Sequence, residues 1–197
     1  SRMPDQPRRL VLWRHGQTAW NLEHRFQSQT DVPLDDVGLR QAKAAAGLLV
    51  GLRPQVIVSS DLSRARDTAA ELATRCGLAV TTDPRLRETD GGQWEGRRRD
   101  ELLASDPLTY RAWIAGEPVR PGGNGEGRTE VGTRIMAAIA EVLARTDPGR
   151  TAVVVTHGGA ARAVMAPLLN RPFEQIQFLT VMRNAAWSVL MQTYDPE

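Results

Sequence analysis

Residues 10–18 read LVLWRHGQT, a short apolar run that passes directly into an arginine, a histidine and a glycine. An uninterrupted apolar run of this length is typical of a strand that is buried on both faces of a parallel sheet. Polar side chains at the end of such a strand lie at the edge where open α/β sheets bind ligands. The stretch therefore predicts a strand over residues 10–13 and a candidate site at Arg14, His15 and Gly16.

Helical and strand patterns alternate along most of the remaining chain. Helices are predicted at residues 39–52, 63–76, 129–145 and 159–169. Asp35 or Asp36 is the expected cap of the first helix, and Gly77 closes the second. Further strands are predicted at residues 56–58, 78–81, 152–155 and 187–191. Because β-α-β connections are almost always right-handed, this order predicts an α/β fold with a doubly wound, mostly parallel sheet and helices on both faces.

The pattern loosens between residues 84 and 127, where we expect a small cap inserted over the sheet edge. Short helical pieces are predicted at residues 98–104 and 107–115. The glycine-rich loop at residues 121–127 follows no strand and precedes no lysine, so we expect a mobile lid on the substrate side instead of a nucleotide loop. The length of 197 residues suits a single domain, with residues 1–8 as a disordered or tag-like start.

Composition excludes several classes of protein. Hydrophobic residues make up 41% and charged residues 24%, which is close to the globular average and argues against disorder. Cys76 is the single cysteine, so neither an intramolecular disulfide nor a cysteine-based zinc cluster can form within the chain. We found no signal-peptide pattern and no apolar run long enough to cross a bilayer. A cytoplasmic protein without membrane partners is the expectation.

The basic residues are almost all arginine, since Lys43 is the only lysine among 25 of them. Arginine forks match the oxygens of a phosphate group better than a lysine point charge does. The one dense basic run, Arg97 to Arg99, is followed at once by Asp100 and Glu101. This pattern predicts a solvated helix start, and nucleic acid is not an expected partner.

Polar clusters follow three of the predicted strands, at residues 14–18, 59–64 and 156–159. Parallel strands bring such clusters to one crevice at their carboxyl ends. The convergence of three clusters is more informative than any one of them.

Four segments resemble the histidine phosphatase superfamily, also called the phosphoglycerate mutase-like family, and they occur in the family's order. They are residues 12–18 with Asn21, residues 59–65, residues 86–88 with 92–96, and residues 156–159. The resemblance implies the fold predicted above and a phosphorylated histidine at His15. It also implies catalytic roles for Arg14, Arg64, Glu88 and His157, and substrate-binding roles for Asn21, Gln27 and Gly158. Ser28, where many relatives have glycine, and the extended loop at 121–127 depart from the family pattern.

The residues also make chemical sense without the family. Hydrolysis of a phosphomonoester needs a nucleophile, cations for the phosphoryl oxygens and a proton for the leaving oxygen. Repulsion by Arg14 and Arg64 would lower the pKa of His15 and keep it neutral. Glu88 is the expected general acid, with Asp90 and Glu95 as competitors. Neither a metal nor a cofactor is required.

Two other functions stay open at this point. A phosphoglycerate mutase would return the phosphoryl group to a second hydroxyl, but the cofactor-dependent mutases are longer chains. A non-catalytic module would bind a phosphorylated ligand with the same arginines. We therefore expect a phosphatase whose partner is a small phosphorylated substrate, such as a phosphorylated sugar, phosphoserine, α-ribazole phosphate or 3-phosphoglycerate. A homodimer is compatible with the sequence, and His24 is expected to be a surface residue.

Overall fold

The computed structural model describes residues 6–193, and this part of the chain contains a five-stranded sheet. The strands are β1 (Arg9–Arg14), β2 (Pro54–Ser59), β3 (Val80–Thr82), β4 (Thr151–Thr156) and β5 (Trp187–Met191). Their order across the sheet is β3-β2-β4-β1-β5. All pairs are parallel except β1 with β5, which run antiparallel, so the sheet is mostly parallel as predicted.

Helices cover both faces of the sheet. They are α1 (Ala19–Leu22), α2 (Asp36–Leu49), α3 (Ser63–Cys76), α4 (Arg99–Ser105), α5 (Pro107–Ile114), α6 (Arg128–Ala144), α7 (Gly158–Leu168) and α8 (Phe173–Ile176). Short 3₁₀ turns lie at Val50–Leu52, Pro84–Leu86, Gly92–Trp94 and Pro121–Gly123.

The sheet divides the core into two layers because successive strand side chains point to opposite faces. Val11 and Trp13 of β1 pack with α2 and α3 on one face. Leu10 and Leu12 pack with α6 and α7 on the other. All six residues of β4 are buried, as expected for a central strand covered on both sides. The predicted doubly wound α/β architecture is confirmed.

Several element bounds differ from prediction, and two of these differences have local reasons. Helix α2 begins at Asp36, three residues early, because the Asp35 carboxylate accepts a hydrogen bond from the Gly38 amide at 2.7 Å and caps the helix there. Strand β3 begins only at Val80. The left-handed Gly77, with φ of 65°, ends α3, and the Leu78 amide still donates to the Ala73 carbonyl of that helix.

The glycine-rich loop at residues 121–127 packs against its own neighbours, and its role as a mobile lid on the substrate side stays a prediction. A Cβ atom at Gly122, whose φ is 63°, would lie 2.5 Å from the amide nitrogen of Gln93. Glu126 forms a 2.9 Å ion pair with Arg134 of α6 and accepts a hydrogen bond from the Asp90 amide. These contacts hold the loop against residues 90–94 and α6.

Both ends of the chain lie partly outside the described residues. Residues 1–8 were predicted to be a disordered or tag-like start, and residues 1–5 of that stretch lie outside the described residues. Gln6 and Arg8 are described, and their contacts fix them to the loop before β4, where the Gly149 amide donates to the Gln6 carbonyl and the Arg8 Nε donates to the Thr146 carbonyl. Between residues 6 and 193 no helix combines the length and apolarity needed to cross a membrane.

The basic run at Arg97 to Arg99 lies at the start of α4, as predicted. The Arg98 amide donates to the Glu101 carboxylate at 2.7 Å, and the Arg98 side chain pairs with Asp100 at 3.1 Å. These contacts cap the start of the helix, and both lie on the exposed surface.

We expect Ile139→Ala to destabilise the protein strongly, because this fully buried α6 side chain lies in the layer between α6, α7 and the sheet. The free energy of unfolding should fall by about 2–5 kcal/mol. Urea unfolding measures this loss as a lower midpoint at unchanged slope. The control Leu48→Ala removes a side chain that is 69% exposed and should change stability by less than about 0.5 kcal/mol. Equal losses in both variants would contradict the assignment of the core.

Candidate active site

Three parallel strands deliver polar residues to one edge of the sheet. β1 ends at Arg14, β2 at Ser59 and β4 at Thr156. A pocket of about 200 Å³ lies at this edge. Its walls are formed by Arg14, His15, Asn21, Arg25, Phe26, Gln27, Ser28, Arg64, Glu88, Thr89, Trp113 and Gly159. The predicted convergence of separate sequence clusters at one crevice is therefore observed.

His15 is oriented by the main chain. Its Nδ1 lies 2.6 Å from the carbonyl oxygen of Gly16, which can only accept a hydrogen bond, so Nδ1 carries the proton and Nε2 keeps its lone pair. The turn is tight because a Cβ atom at Gly16 would lie 2.3 Å from the carbonyl oxygen of Gly38, at the start of α2. Only glycine permits this close approach.

The environment of His15 favours the neutral imidazole. Burial is the main cause that lowers its pKa well below the usual value, and the positive charges of Arg64 and Arg14 lower it further. The hydrogen bond to the Gly16 carbonyl acts in the opposite direction but is the weakest of these effects. Sequence reasoning had named the charge repulsion alone, and the structure adds burial as the larger cause.

Arg14 and Arg64 are both buried beside His15, and main-chain carbonyls hold their terminal nitrogens. Arg14 donates through Nη1 to the carbonyl of Met182. Arg64 donates through Nη1 to Thr30 at 2.6 Å and through Nη2 to Ser28 at 2.9 Å.

Each of these guanidinium groups has one buried N–H that finds no acceptor among the atoms that the structure describes. It is the Nε–H in both Arg14 and Arg64. Burial lowers the pKa of Arg14 and lowers that of Arg64 to about 10, so both groups are still charged at pH 7. A buried charged donor without an acceptor is unfavourable. The arrangement therefore suits an anionic ligand whose oxygens accept from both groups.

The departure at Ser28 has a conformational consequence. Ser28 has φ of 51°, in the left-handed region that favours glycine. Its hydroxyl accepts from the Gly91 amide at 2.8 Å, and its carbonyl holds Arg64. The serine thus adopts the backbone conformation that glycine would adopt and adds a bond to segment 84–127.

His157 lies next to His15, with 5.1 Å between the ring centroids. Its Nε2 is 2.9 Å from the hydroxyl of Ser60, and its buried Nδ1 has no partner among the described atoms. Burial, followed by the charge of Arg64, lowers its pKa well below the usual value. Sequence reasoning included Ser60 only as part of a motif, and its position directly after β2 was the available signal.

Glu88 is held by the start of α7. Its carboxylate accepts hydrogen bonds from the amides of Thr89 at 2.8 Å, Gly159 at 3.1 Å and Ala160 at 2.8 Å. A helix N-terminus stabilises negative charge at this position. Of the three carboxylates considered from the sequence, Glu88 is the one that lines the pocket.

The two competing carboxylates are used in local contacts. Asp90 accepts from the Gly92 amide at 2.8 Å, and Glu95 accepts from the Thr30 hydroxyl at 2.7 Å. Neither residue contributes to the pocket wall.

Asn21 and Gln27 both line the pocket. The side-chain oxygen of Asn21 accepts from the Thr18 amide at 3.0 Å, and that of Gln27 accepts from the Thr18 hydroxyl at 2.7 Å. Within residues 6–193, neither side-chain NH₂ group donates a hydrogen bond, so both are available to a ligand. Thr18 therefore orients two donors at once.

Gly158 does not line the pocket, whereas Gly159 does. A Cβ atom at Gly158 would lie 2.9 Å from the guanidinium carbon of Arg14 and 2.7 Å from Val181. The absence of a side chain here allows Arg14 to pack closely against α7.

The loop before β5 was missed as a part of the site. The Asn184 side chain donates to the His15 carbonyl at 3.3 Å and to the Asn21 side chain at 3.1 Å. The Ala185 amide also donates to the His15 carbonyl, and the Trp13 indole donates to the Ala185 carbonyl, both at 2.9 Å. The sequence carried one signal, the resemblance of residues 183–187 to known relatives.

No group of three or more His, Cys, Asp or Glu side chains in the described part of the chain is arranged to hold a metal ion. The side chains at the pocket instead include an imidazole with a lone pair, the guanidinium groups of Arg14 and Arg64, and a carboxylate. This combination suits attack on the phosphorus atom of a bound phosphate ester.

Known proteins share this sequence and fold over most of their length. The glucosyl-3-phosphoglycerate phosphatase of Mycobacterium tuberculosis is 41% identical over 196 residues, which cover 96% of this chain and 87% of the relative. The enzyme of the same name from Mycolicibacterium vanbaalenii is 43% identical over 186 residues, covering 91% and 82%. A structure of mycobacterial glucosyl-3-phosphoglycerate phosphatase complexed with VO3 matches with a TM-score of 0.87 at 42% identity and covers 92% of each chain.

The family model for branch 1 of the histidine phosphatase superfamily matches residues 10–196, which include all of the strands and helices described above except the first residue of β1. This chain belongs to the histidine phosphatase superfamily.

Proposed function

We propose that the chain hydrolyses the phosphomonoester of a small metabolite through a phosphohistidine formed at His15. One observation carries the proposal. A neutral imidazole with a free Nε2 lies in the same pocket as two buried guanidinium groups, Arg14 and Arg64, whose Nε–H groups have no acceptor among the described atoms.

In the first step, Nε2 of His15 attacks phosphorus in line with the leaving oxygen. The Nε2–P bond forms while the P–O bond to the alcohol breaks, and Arg14 and Arg64 stabilise the charge on the three other oxygens. The depressed pKa of His15 keeps its lone pair available at pH 7.

Glu88 donates the proton that the departing alcohol requires. The amides of Thr89, Gly159 and Ala160 fix the position of its carboxylate at the pocket. After the alcohol leaves, the carboxylate accepts a proton from water, which attacks phosphorus and releases His15.

His157 holds the phosphoryl group in place. The Ser60 hydroxyl donates to Nε2, which leaves the proton on the unpartnered Nδ1 for a phosphoryl oxygen. Asn21 and Gln27 add side-chain NH₂ donors to the same pocket. No step in this scheme uses a metal or a cofactor.

Glucosyl-3-phosphoglycerate is the substrate we propose to test first. The two relatives described above carry this substrate in their names. Residues 85–89 and 183–187 also resemble the actinobacterial enzymes of that type. Segment 84–127 acts as the cap of a single domain, because Glu88, Thr89 and Trp113 all reach the pocket from it. We also propose a cytoplasmic location, because a chain with a single cysteine forms no intramolecular disulfide and suits a reducing compartment.

Replacing His15 by alanine should abolish turnover, because among the described residues His15 is the histidine that lines the pocket with the two arginines. We would measure p-nitrophenyl phosphate hydrolysis with a metal chelator present and trap the acid-labile phosphoenzyme of the wild type. The matched control His24→Ala alters a histidine outside the pocket and should leave turnover unchanged. Near-normal turnover of His15→Ala, or a label on another residue, would exclude the mechanism, and loss of wild-type activity in the chelator would exclude metal independence.

Arg64→Ala should lower kcat/KM by about 3 kcal/mol of transition-state stabilisation, the loss expected for one preorganised donor group. Arg66→Ala on the same helix is the control, since Arg66 is exposed and does not line the pocket. Thermal unfolding of both variants separates this loss from misfolding, because Arg64 also holds residues 28–30. An unchanged kcat/KM in folded Arg64→Ala would make Arg64 a structural residue only.

Glu88→Gln should impair substrates in proportion to how poor their leaving group is. An alkoxide needs a proton at pH 7, whereas p-nitrophenolate leaves without one. Alkyl phosphates should therefore lose roughly 10² to 10⁴ in rate, and p-nitrophenyl phosphate much less. The control Asp90→Asn keeps an acceptor for the Gly92 amide and should affect neither substrate. Equal losses of Glu88→Gln on both substrates would show that Glu88 positions the site without donating the proton.

A further inference from the structure

The pocket has an aromatic wall that the phosphoryl chemistry does not use. Trp113 of α5 and Phe26 of the loop after α1 both line it, together with His15, Arg64 and Glu88. Neither ring can donate to a phosphate oxygen through its face. An aromatic surface beside a polar centre is the usual arrangement for recognising the rest of a ligand.

Trp113 is held in place by a cluster of aromatic rings. Its ring centroid lies 6.3 Å from that of Phe26 and 6.3 Å from that of Trp94. Trp94 is buried, packs edge-on against Tyr110 at 5.5 Å and donates its indole N–H to Asp106 at 3.2 Å. The tryptophan at the pocket is thus supported by an anchored core within segment 84–127.

Arg128 covers one face of the Trp113 indole. Its guanidinium carbon lies 3.8 Å from the ring centroid, and its Nη2 donates to the Trp113 carbonyl. No carboxylate of residues 6–193 forms an ion pair with Arg128, although the side chain is partly buried. Its guanidinium group also lies 5.1 Å from the ring centroid of Phe173. Because the Trp113 ring is closer and its carbonyl accepts from Arg128, we assign Arg128 as a positioning residue for Trp113.

The remaining surface of Trp113 is available to a ligand. The indole N–H donates no hydrogen bond within the part of the chain that the structure describes. A fixed ring with a free donor can pack against the C–H face of a sugar ring and donate to one of its hydroxyls.

We propose that Trp113, positioned by Arg128, forms a subsite for a pyranose ring in the leaving group of the substrate. This subsite rests on the function proposed above and adds the reason for its substrate preference. Glu88 and Trp113 line the same pocket, so the alcohol that Glu88 protonates is the part of the substrate that the ring contacts. Binding energy from this remote contact is used at the reacting centre, so loss of the ring should lower kcat as well as raise KM.

The test compares two substrates that differ only in the sugar. We would measure kcat/KM for glucosyl-3-phosphoglycerate and for 3-phosphoglycerate in the wild type, Trp113→Ala and Trp113→Phe. We expect Trp113→Ala to lose about 10-fold on the glucosylated substrate, the ratio that corresponds to 1.4 kcal/mol, and less than about 3-fold on the other. Trp113→Phe keeps a ring face and should recover most of the loss.

Two further variants separate the subsite from the folding of segment 84–127. Arg128→Gln should reproduce the selective loss in weaker form, because it removes the cation above the ring and leaves the chemistry intact. Ile114→Ala is the control, since this neighbouring side chain is 50% exposed and does not line the pocket. It should change neither rate.

The outcomes separate the subsite from the proposed function. Equal losses on both substrates in Trp113→Ala, or no loss on either, would overturn the subsite while the phosphatase function stands. A wild type that does not prefer the glucosylated substrate would also overturn it. A wild type that hydrolyses neither substrate would be assayed with glucose 6-phosphate and glycerol 3-phosphate. Equal selectivity of wild type and Trp113→Ala on that pair refutes the subsite, and no turnover of any phosphomonoester refutes the function and the subsite together.

Discussion

Two guanidinium groups are buried next to a histidine at one edge of the sheet, and the structure around them is arranged to tolerate their charge. Among the described residues neither Arg14 nor Arg64 forms an ion pair with a carboxylate, so neutral main-chain carbonyls hold their terminal nitrogens. Carbonyl acceptors fix each group without neutralising it. The positive charge is therefore kept for an anionic ligand, and it also contributes to the low pKa of His15.

This constraint shapes the loops around the site. Ser28 adopts a left-handed conformation at the position where its carbonyl receives Arg64, and Gly158 lacks a side chain where Arg14 packs against α7. At both positions the local backbone or packing is restricted so that a charged group can be placed. These two positions and the two arginines lie on four separate segments of the chain, so the site exists only in the complete fold.

Helix α7 serves the site in two ways. Its preceding residue is His157, and the first amides of the helix bind the Glu88 carboxylate. The strand-to-helix turn after β4 thus places the second histidine and anchors the carboxylate from a different segment. Segment 84–127 carries both that carboxylate and the Trp113 ring, and both line the pocket.

The sequence by itself determined the order of elements and the identity of the groups at the strand ends. Apolar runs and helical periodicity depend on neighbours within a few residues, so β1, β4 and the four long helices could be predicted within a few residues. Arg14, His15 and Arg64 follow strands or begin helices, and their convergence followed from the topology of a parallel sheet.

The tertiary structure decided which side chains meet across long distances in the chain. The contact of Asn184 with His15 joins residues 169 positions apart, and no local pattern encodes it. The loop at 121–127 has the composition of a mobile lid, yet its glycines permit close packing on residues 90–94 and α6. Gly158 and Gly159 are the same residue type side by side in the sequence. Only the path of α7 shows that Gly158 packs against Arg14 and that Gly159 lines the pocket. Packing between distant segments decides such contacts, because it depends on how the layers fit together and not on any one stretch of residues.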